Sequence, residues 1–196
     1  MVIAIEAGHR RNTPGKRSPD QKFREWEWNE KCKNITLNAL CAKGLTVFDV
    51  TPQGDEDSLS RRVAAVNNLC NRYGKRNVVY VSIHCNAAGN GDWMNARRWS
   101  IWTSKGQTTS DVIAERIYEA ALDKWGKAGV RSETSDGDHD YESDFYVLRN
   151  SWCPAVLIEN FFYDNKEDYE YLCSPQSLED CSAVIIDGLE RYMATI

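Results

Sequence analysis

Two apolar runs in this chain each end in a histidine. Val2-Ile3-Ala4-Ile5 leads into Glu6-Ala7-Gly8-His9. Asn77-Val78-Val79-Tyr80-Val81-Ser82-Ile83 leads into His84-Cys85-Asn86. Short apolar runs bounded by polar residues read as buried strands. A buried strand that runs out of core opens onto a cleft, which is where an α/β sheet keeps its chemistry. The chain has three histidines in 196 residues, and two of them stand at such strand ends. Neutral imidazole is a standard zinc ligand.

Strand and helix patterns alternate along the rest of the chain. Residues 2–6 read as a strand and residues 10–24, with Pro14, Gly15 and Pro19, as a loop. Trp28, Cys32, Ile35 and Ala39 recur at helical spacing, and Gly44 follows as a stop. Residues 46–50 are β-rich. Leu59, Val63, Val66 and Cys70 repeat the helical pattern, and residues 77–83 form the most strand-like run. Residues 87–96 read as a loop and residues 99–103 as a strand. Ile113, Ile117, Ala120 and Ala121 mark a third helix ending near Gly126. The acidic segment 131–143 reads as an exposed loop. Residues 145–148 and 155–158 are expected as short strands, residues 164–172 as a short helix, and Cys181, Ile185, Leu189 and Tyr192 as one face of a last helix. This order predicts a three-layer α/β fold, with a mostly parallel twisted sheet and helices on both faces. With no repeat, low-complexity stretch or linker, residues 1–196 are expected to form a single domain.

A net charge of -5 gives no electrostatic case for nucleic acid or an anionic membrane surface. No apolar run is long enough to span a bilayer, and no signal peptide is evident. The chain is therefore expected to be made in the cytoplasm without a leader. The seven cysteines are odd in number and include no Cys-x-x-Cys pair, so free thiols filling core positions are expected.

A catalytic zinc has three protein ligands and one position open to water. His9 and His84 supply two. The third is left among a carboxylate, a thiolate and His139. Cys85 neighbours His84, but strand alternation sends it to the other face, and His139 lies in an acidic loop. Carboxylates cluster at Arg24-Glu25-Trp26-Glu27-Trp28-Asn29, the start of the first helix, where the helix dipole also favours acids. Glu159 closes the apolar run Pro154-Ala155-Val156-Leu157-Ile158. An ionised group at such a place needs a partner, whether a metal, a substrate or a basic side chain. Asn86, on the face of His84, is either a ligand-supporting residue or a cap of the strand end.

These residues resemble a known family. In order along the chain, Ile5-Glu6-Ala7-Gly8-His9, Glu25 with Asn29, Leu59 to Asn67, Ser82-Ile83-His84-Cys85-Asn86-Ala87 and Pro154 to Glu159 are similar to five segments of the zinc-dependent N-acetylmuramoyl-L-alanine amidases, the catalytic domains of bacterial cell-wall amidases and phage endolysins. The resemblance runs from Ile3 to about Tyr192. It implies Zn2+ bound by His9, Glu25 and His84, with Glu25 preferred over Glu27, and Glu159 as the general base. The chain departs from the family at Glu6, Arg10, Arg11, Cys85 and Asn160. None of these removes a ligand, but Arg10, Arg11 and Asn160 bear on the shape of the cleft.

What the resemblance implies is hydrolysis of the amide bond between N-acetylmuramic acid and L-alanine in peptidoglycan, by a phage or prophage lytic enzyme acting on the cell wall after release. A bacterial wall-remodelling amidase is the alternative. Another zinc amidohydrolase or peptidase, or a non-catalytic wall-binding module, stands further off, because binding alone needs no Glu159. Peptidoglycan is the expected partner, with no nucleic acid and no membrane insertion, and a monomer is the expected state. Of the seven tryptophans, Trp26 or Trp93 is expected to border the cleft.

Overall fold

The computed structural model describes residues 1–55, 58–89 and 91–196. Asn90, inside the loop expected over residues 87–96, lies outside the described residues. A six-stranded sheet has β1 (Val2–Ala7), β2 (Thr46–Asp49), β3 (Val78–Asn86), β4 (Ser100–Thr103), β5 (Tyr141–Glu142) and β6 (Ala155–Phe162) in the order β2-β1-β3-β6-β4-β5. Every neighbouring pair is parallel except β4 with β6. The helices are α1 (Glu25–Ala42), α2 (Leu59–Tyr73), α3 (Thr109–Gly129), α4 (Tyr146–Asn150), α5 (Lys166–Leu172) and α6 (Pro175–Met193). The mostly parallel α/β sheet covered on both faces agrees with the expectation from alternation.

Side-chain alternation along each strand divides the core in two. Ile3, Ile5, Val79, Val81, Ile83, Val156 and Ile158 face one way, toward apolar residues of α1, α3 and α6. Val2, Ala4, Val78, Tyr80, Ala155 and Leu157 face the other way, toward α2 and α4. Two buried faces explain why these strands read as continuous apolar runs rather than alternating ones. On the first face α6 packs so closely on α3 that a Cβ at Gly188 would come within 2.5 Å of the Ile117 backbone.

Local signals set the helix ends. The Ser58 hydroxyl accepts the Arg61 N–H to start α2, and Gly74, at φ 89, ends it. Thr108 and Asp111 form a capping box at the start of α3. At Gly126, where that helix was expected to end, the backbone turns to φ 64 and breaks the helical run.

Three elements differ from expectation, the first being β5 (Tyr141–Glu142), which lies inside the segment 131–143 expected as an exposed loop. Of residues 145–148, Phe145 is the extended N-cap and Tyr146, Val147 and Leu148 form the start of α4, not a strand. Val147 and Leu148 are adjacent and both buried in the same core, which a strand's alternation does not permit and a helical turn does. The strand expected over 155–158 runs on to Phe162. Its apolar pattern is interrupted by Glu159 and Asn160 and then resumes; Asn160 is held by His84 O and the Trp99 indole, whereas Glu159 Oε2 is buried without a hydrogen-bond partner. Among the described residues no helix is long and apolar enough to cross a membrane, and all seven cysteines are free thiols.

Candidate metal centre

The α2-facing side of the sheet carries Glu6, Ser82, His84 and Glu159 once its apolar residues run out. Glu6 and Ser82 are register partners on β1 and β3. Two residues further along, His84 pairs with Glu159 on β6. The histidine and the glutamate therefore share a rung and a face, at the C-terminal ends of parallel strands.

Gly8 follows β1 and lies beside His84. A Cβ built on Gly8 would lie 2.1 Å from Cε1 of the imidazole and 2.3 Å from Nε2. Only a residue without a side chain leaves this space to the ring. His9 comes next with φ 62, a left-handed conformation that is uncommon outside glycine. Its carbonyl is held by Arg62 of α2, whose guanidinium lies 3.1 Å from His9 O and 2.7 Å from Ala7 O. The same guanidinium pairs with Glu6 at 2.7 Å, and both side chains are 1% exposed. Glu6 also accepts the Ser82 hydroxyl at 2.6 Å. A buried, satisfied ion pair thus anchors the turn that presents His9.

Glu25 opens α1 and is fully buried. Its Oε1 accepts the Cys85 N–H at 3.2 Å and lies 3.1 Å from Nδ1 of His84 and 3.5 Å from Nε2 of His9. Asn29, one helical turn on, donates to Gly8 O at 3.1 Å and to Glu25 Oε1 at 3.4 Å. Burial acts to raise the Glu25 carboxyl, but the His84 hydrogen bond and the charges of His9, His84 and Lys16 outweigh it and hold the group below its ordinary value. Glu159 behaves oppositely. Burial first, and then the charge of Glu25, push it up to about 8, against weaker pulls from Lys16 and His9.

One ligand atom each from His9, Glu25 and His84 lie within 4.8 Å of one another. The two imidazole rings meet edge to face with centroids 4.8 Å apart. Glu25 Oε2 is closed to solvent and has no hydrogen-bond partner. A buried carboxylate oxygen without a donor is costly, and a cation held by the three side chains satisfies it. Two imidazole nitrogens and one carboxylate oxygen form a donor set that suits a divalent transition metal such as zinc. The residues present therefore fit a metal ion. The cluster opens into a cavity of about 200 Å³ lined by Lys16, Leu59, Tyr146 and Glu159 among others. Lys16 also lines two neighbouring grooves along the loop before α1.

Other residues singled out in the sequence lie elsewhere. His139 is apart from the cluster: Nδ1 is 2.9 Å from Glu115 and the ring stacks on Tyr118. Cys85 faces the α1 side, where its thiol lies 3.6 Å from Asn29 Oδ1. Asn86 caps the strand end, its side chain accepting the Ala87 N–H at 2.8 Å. Asn160 points away from the cleft and ties His84 O to the Trp99 indole. Trp26 lines one of the grooves shared with Lys16, whereas Trp93 packs edge-on against Tyr169. Sequence reasoning gave no role to Lys16, Arg62 or Glu6. For Arg62 a signal existed, since it stands next to Val63 on the buried side of an apolar helical stripe.

The comparisons with known proteins agree with this geometry. Residues 3–191 match the family model of N-acetylmuramoyl-L-alanine amidases. An endolysin of Bacillus phage SPP1 is 28% identical over 59% of this chain, and the amidase AmiC of Neisseria meningitidis serogroup B is 25% identical over 99% of it. The chain spans 40% and 53% of the lengths of these two relatives. Among solved structures, an N-acetylmuramoyl-L-alanine amidase from Clostridium difficile 630 superposes with a TM-score of 0.80 at 25% identity, covering 99% of this chain and 97% of its own. With the fold, the histidine-ended strands and a match over nearly its whole length in agreement, the chain belongs to the N-acetylmuramoyl-L-alanine amidase family.

Proposed function

We propose that residues 1–196 act as one catalytic domain that hydrolyses the amide bond between N-acetylmuramic acid and the L-alanine of the peptidoglycan stem. In this reading His9, Glu25 and His84 hold Zn2+ and Glu159 is the general base. The observation that carries it is the position of Glu159. It is the rung partner of His84, it lies in the cavity onto which the three-ligand cluster opens, and it belongs to a chain of this family.

A zinc ion held by His9, Glu25 and His84 would supply Lewis acidity, polarising a carbonyl and lowering the pKa of water well below its bulk value. The protein's own residues do the rest. The Glu159 carboxylate takes the proton of the attacking water and returns it to the L-alanine nitrogen as the C–N bond breaks, so the proton count closes on one side chain. Glu25, held below its ordinary pKa, stays a carboxylate while Glu159 changes state. Of the two buried acids, Glu25 is thus the one held below its ordinary value and Glu159 the one raised above it. Lys16 brings a positive charge to the cavity wall and favours acidic groups of the stem peptide.

The product is a stem peptide with a free L-alanine amine, and no new reducing sugar end. Mass spectrometry of digested peptidoglycan tests this. New reducing ends would make the protein a glycosidase, and binding without any cleavage would make it a wall-binding module. The similarity to a phage endolysin supports a phage or prophage lytic enzyme acting on the wall after release. The alignment of AmiC along 99% of the chain supports the bacterial remodelling alternative.

A further inference from the structure

Three aspartates meet on the other side of β6 from the histidines. Asp111 belongs to the first turn of α3, and Asp138 and Asp140 to the acidic segment that leads into β5. One oxygen from each lies within 4.8 Å of the others. β4 runs antiparallel to β6, so from Ser100, the partner of Glu159, it leads away from the zinc ligands. Thr103 is three residues on, roughly 10 Å along the strand, and its hydroxyl sits between two of the aspartates. It lies 2.6 Å from Asp140 Oδ2 and 3.0 Å from Asp111 Oδ1. A hydroxyl has one proton and can donate to only one of them.

The remaining oxygens are worse off. Asp140 is 2% exposed and Asp111 5% exposed. Asp140 Oδ1 and Asp138 Oδ1 are both closed to solvent and have no hydrogen-bond partner. Asp138 receives the Gln107 amide at 3.1 Å on its other oxygen, and Asp111 closes the α3 capping box through the Thr108 N–H. These donors are neutral. Among the described residues no Lys, Arg or His forms an ion pair with any of the three aspartates. Buried like charges at this spacing repel, and each loses hydration. Burial first, and then the charges of Asp138 and Asp111, push the Asp140 carboxyl up to about 7 against the Thr103 hydrogen bond. Either a proton or a cation must relieve such a cluster.

We propose that Asp111, Asp138 and Asp140, with the Thr103 hydroxyl, form a binding site for a calcium-like divalent cation, separate from the zinc ligands. The donors are all oxygen, which excludes the preferences of zinc and softer metals. Oxygens ~2.4 Å from a shared ion lie at most ~4.8 Å apart, and one oxygen from each of the three aspartates falls within that limit. The unpartnered Asp140 and Asp138 oxygens are the atoms such an ion would satisfy. Bound there, the cation fastens the segment that carries edge strand β5 to the end of β4 and the start of α3.

The test uses the full zinc-loaded protein in calcium-free buffer. Calorimetric titration with Ca2+ is expected to give one site per chain and a saturable rise in Tm. Tb3+ is expected to luminesce on excitation of Trp102, which stacks on Tyr141 beside the site, and Ca2+ to displace it. Asp140→Asn is expected to abolish all three signals while zinc content and far-UV circular dichroism stay unchanged. Should that variant fail to fold, Asp138→Asn, at a less buried position, carries the same expectation. No heat and no Tm shift at millimolar Ca2+, with an Asp140→Asn protein more stable than wild type, would overturn the proposal in favour of a shared proton. Preference for Mg2+ over Ca2+, or an unaltered titration in both variants, would overturn it as well. None of these readouts depends on amidase activity, so failure here leaves the zinc reading standing.

Discussion

His84 and Glu159 are direct partners across the parallel β3–β6 ladder, on the same face of the sheet. Neighbouring strands lie about 4.8 Å apart, so the ladder itself fixes the distance between a proposed ligand and the proposed base. A slip of one residue would turn Glu159 into the opposite core. The apolar pairs Val81–Val156 and Ile83–Ile158 prevent that slip by filling that core. Glu159→Gln keeps the shape of the side chain and removes its basicity. Zinc content is expected to stay at one per chain, while release of stem peptides falls by about 10²–10⁴-fold. Full hydrolysis by this variant would remove Glu159 from the mechanism. His84→Ala is expected to lose the metal, and stoichiometric zinc in that variant would contradict the ligand set.

Gly8 tests the same centre through the backbone. A methyl group at this position would meet Cε1 of His84 at 2.1 Å, so the ring must turn away. Gly8→Ala is expected to weaken zinc binding at least about tenfold, the scale seen when a ligand loses its orientation. Far-UV circular dichroism should change little, because Gly8 lies outside the strand core. Competition with a chromogenic chelator measures the affinity, and wild-type affinity would show that the ring has room to adjust.

Arg62 joins stability to the site. It neutralises Glu6 and holds the carbonyls of Ala7 and His9. Arg62→Met strands a buried carboxylate and is expected to cost about 3–5 kcal/mol in urea denaturation. Adding Glu6→Gln removes the stranded charge and should recover part of that loss. Arg62→Lys keeps the charge without the planar fork that reaches two carbonyls. It is expected to retain more stability than Arg62→Met but to bind zinc less tightly than wild type. Equal losses in the single and double variants would show that packing, not charge, is what Arg62 supplies.

The fold was legible because buried parallel strands leave a plain mark. Val2–Ile5 and Val78–Ile83 are apolar on both faces, and helical stripes separate them. The histidines at their ends then located the site. Position along the chain gives no such mark for Glu25. Glu25 and Glu27 both suit a helix N-terminus, and only the packing of α1 against β3 brings Glu25 within 3.1 Å of His84. Lys16 was invisible for a similar reason, being one basic residue in a loop rich in them. The segment 145–148 was misread because four residues with Phe and Val suit a strand, while the need to bury both Val147 and Leu148 on one side is a tertiary demand. The acidic segment read as exposed loop from composition, yet Asp140 is buried, because Thr103 and α3 close over it.

Lys33 offers a test of the α1–β2 packing away from both proposed metal sites. Its side chain is 1% exposed and donates to Asp49 at 2.6 Å and to Glu30 at 2.7 Å. Burial acts to raise the Asp49 carboxyl, but the hydrogen bonds from Lys33 and Thr51 outweigh it and set the group below its ordinary value of 3.8. A depressed native pKa means that the unfolded chain binds the proton more readily. The contribution of the pair is therefore complete above pH 3.8 and is lost as the pH falls through the native value. Asp49→Asn removes that contribution at every pH. Because Asp49 is partly exposed, its loss is expected to cost only about 1 kcal/mol at pH 7. Urea midpoints of wild type and Asp49→Asn should differ at pH 7 and converge as the pH falls below the native value, once both states are protonated. A constant offset across that range would assign the effect to packing instead of the Lys33 ion pair.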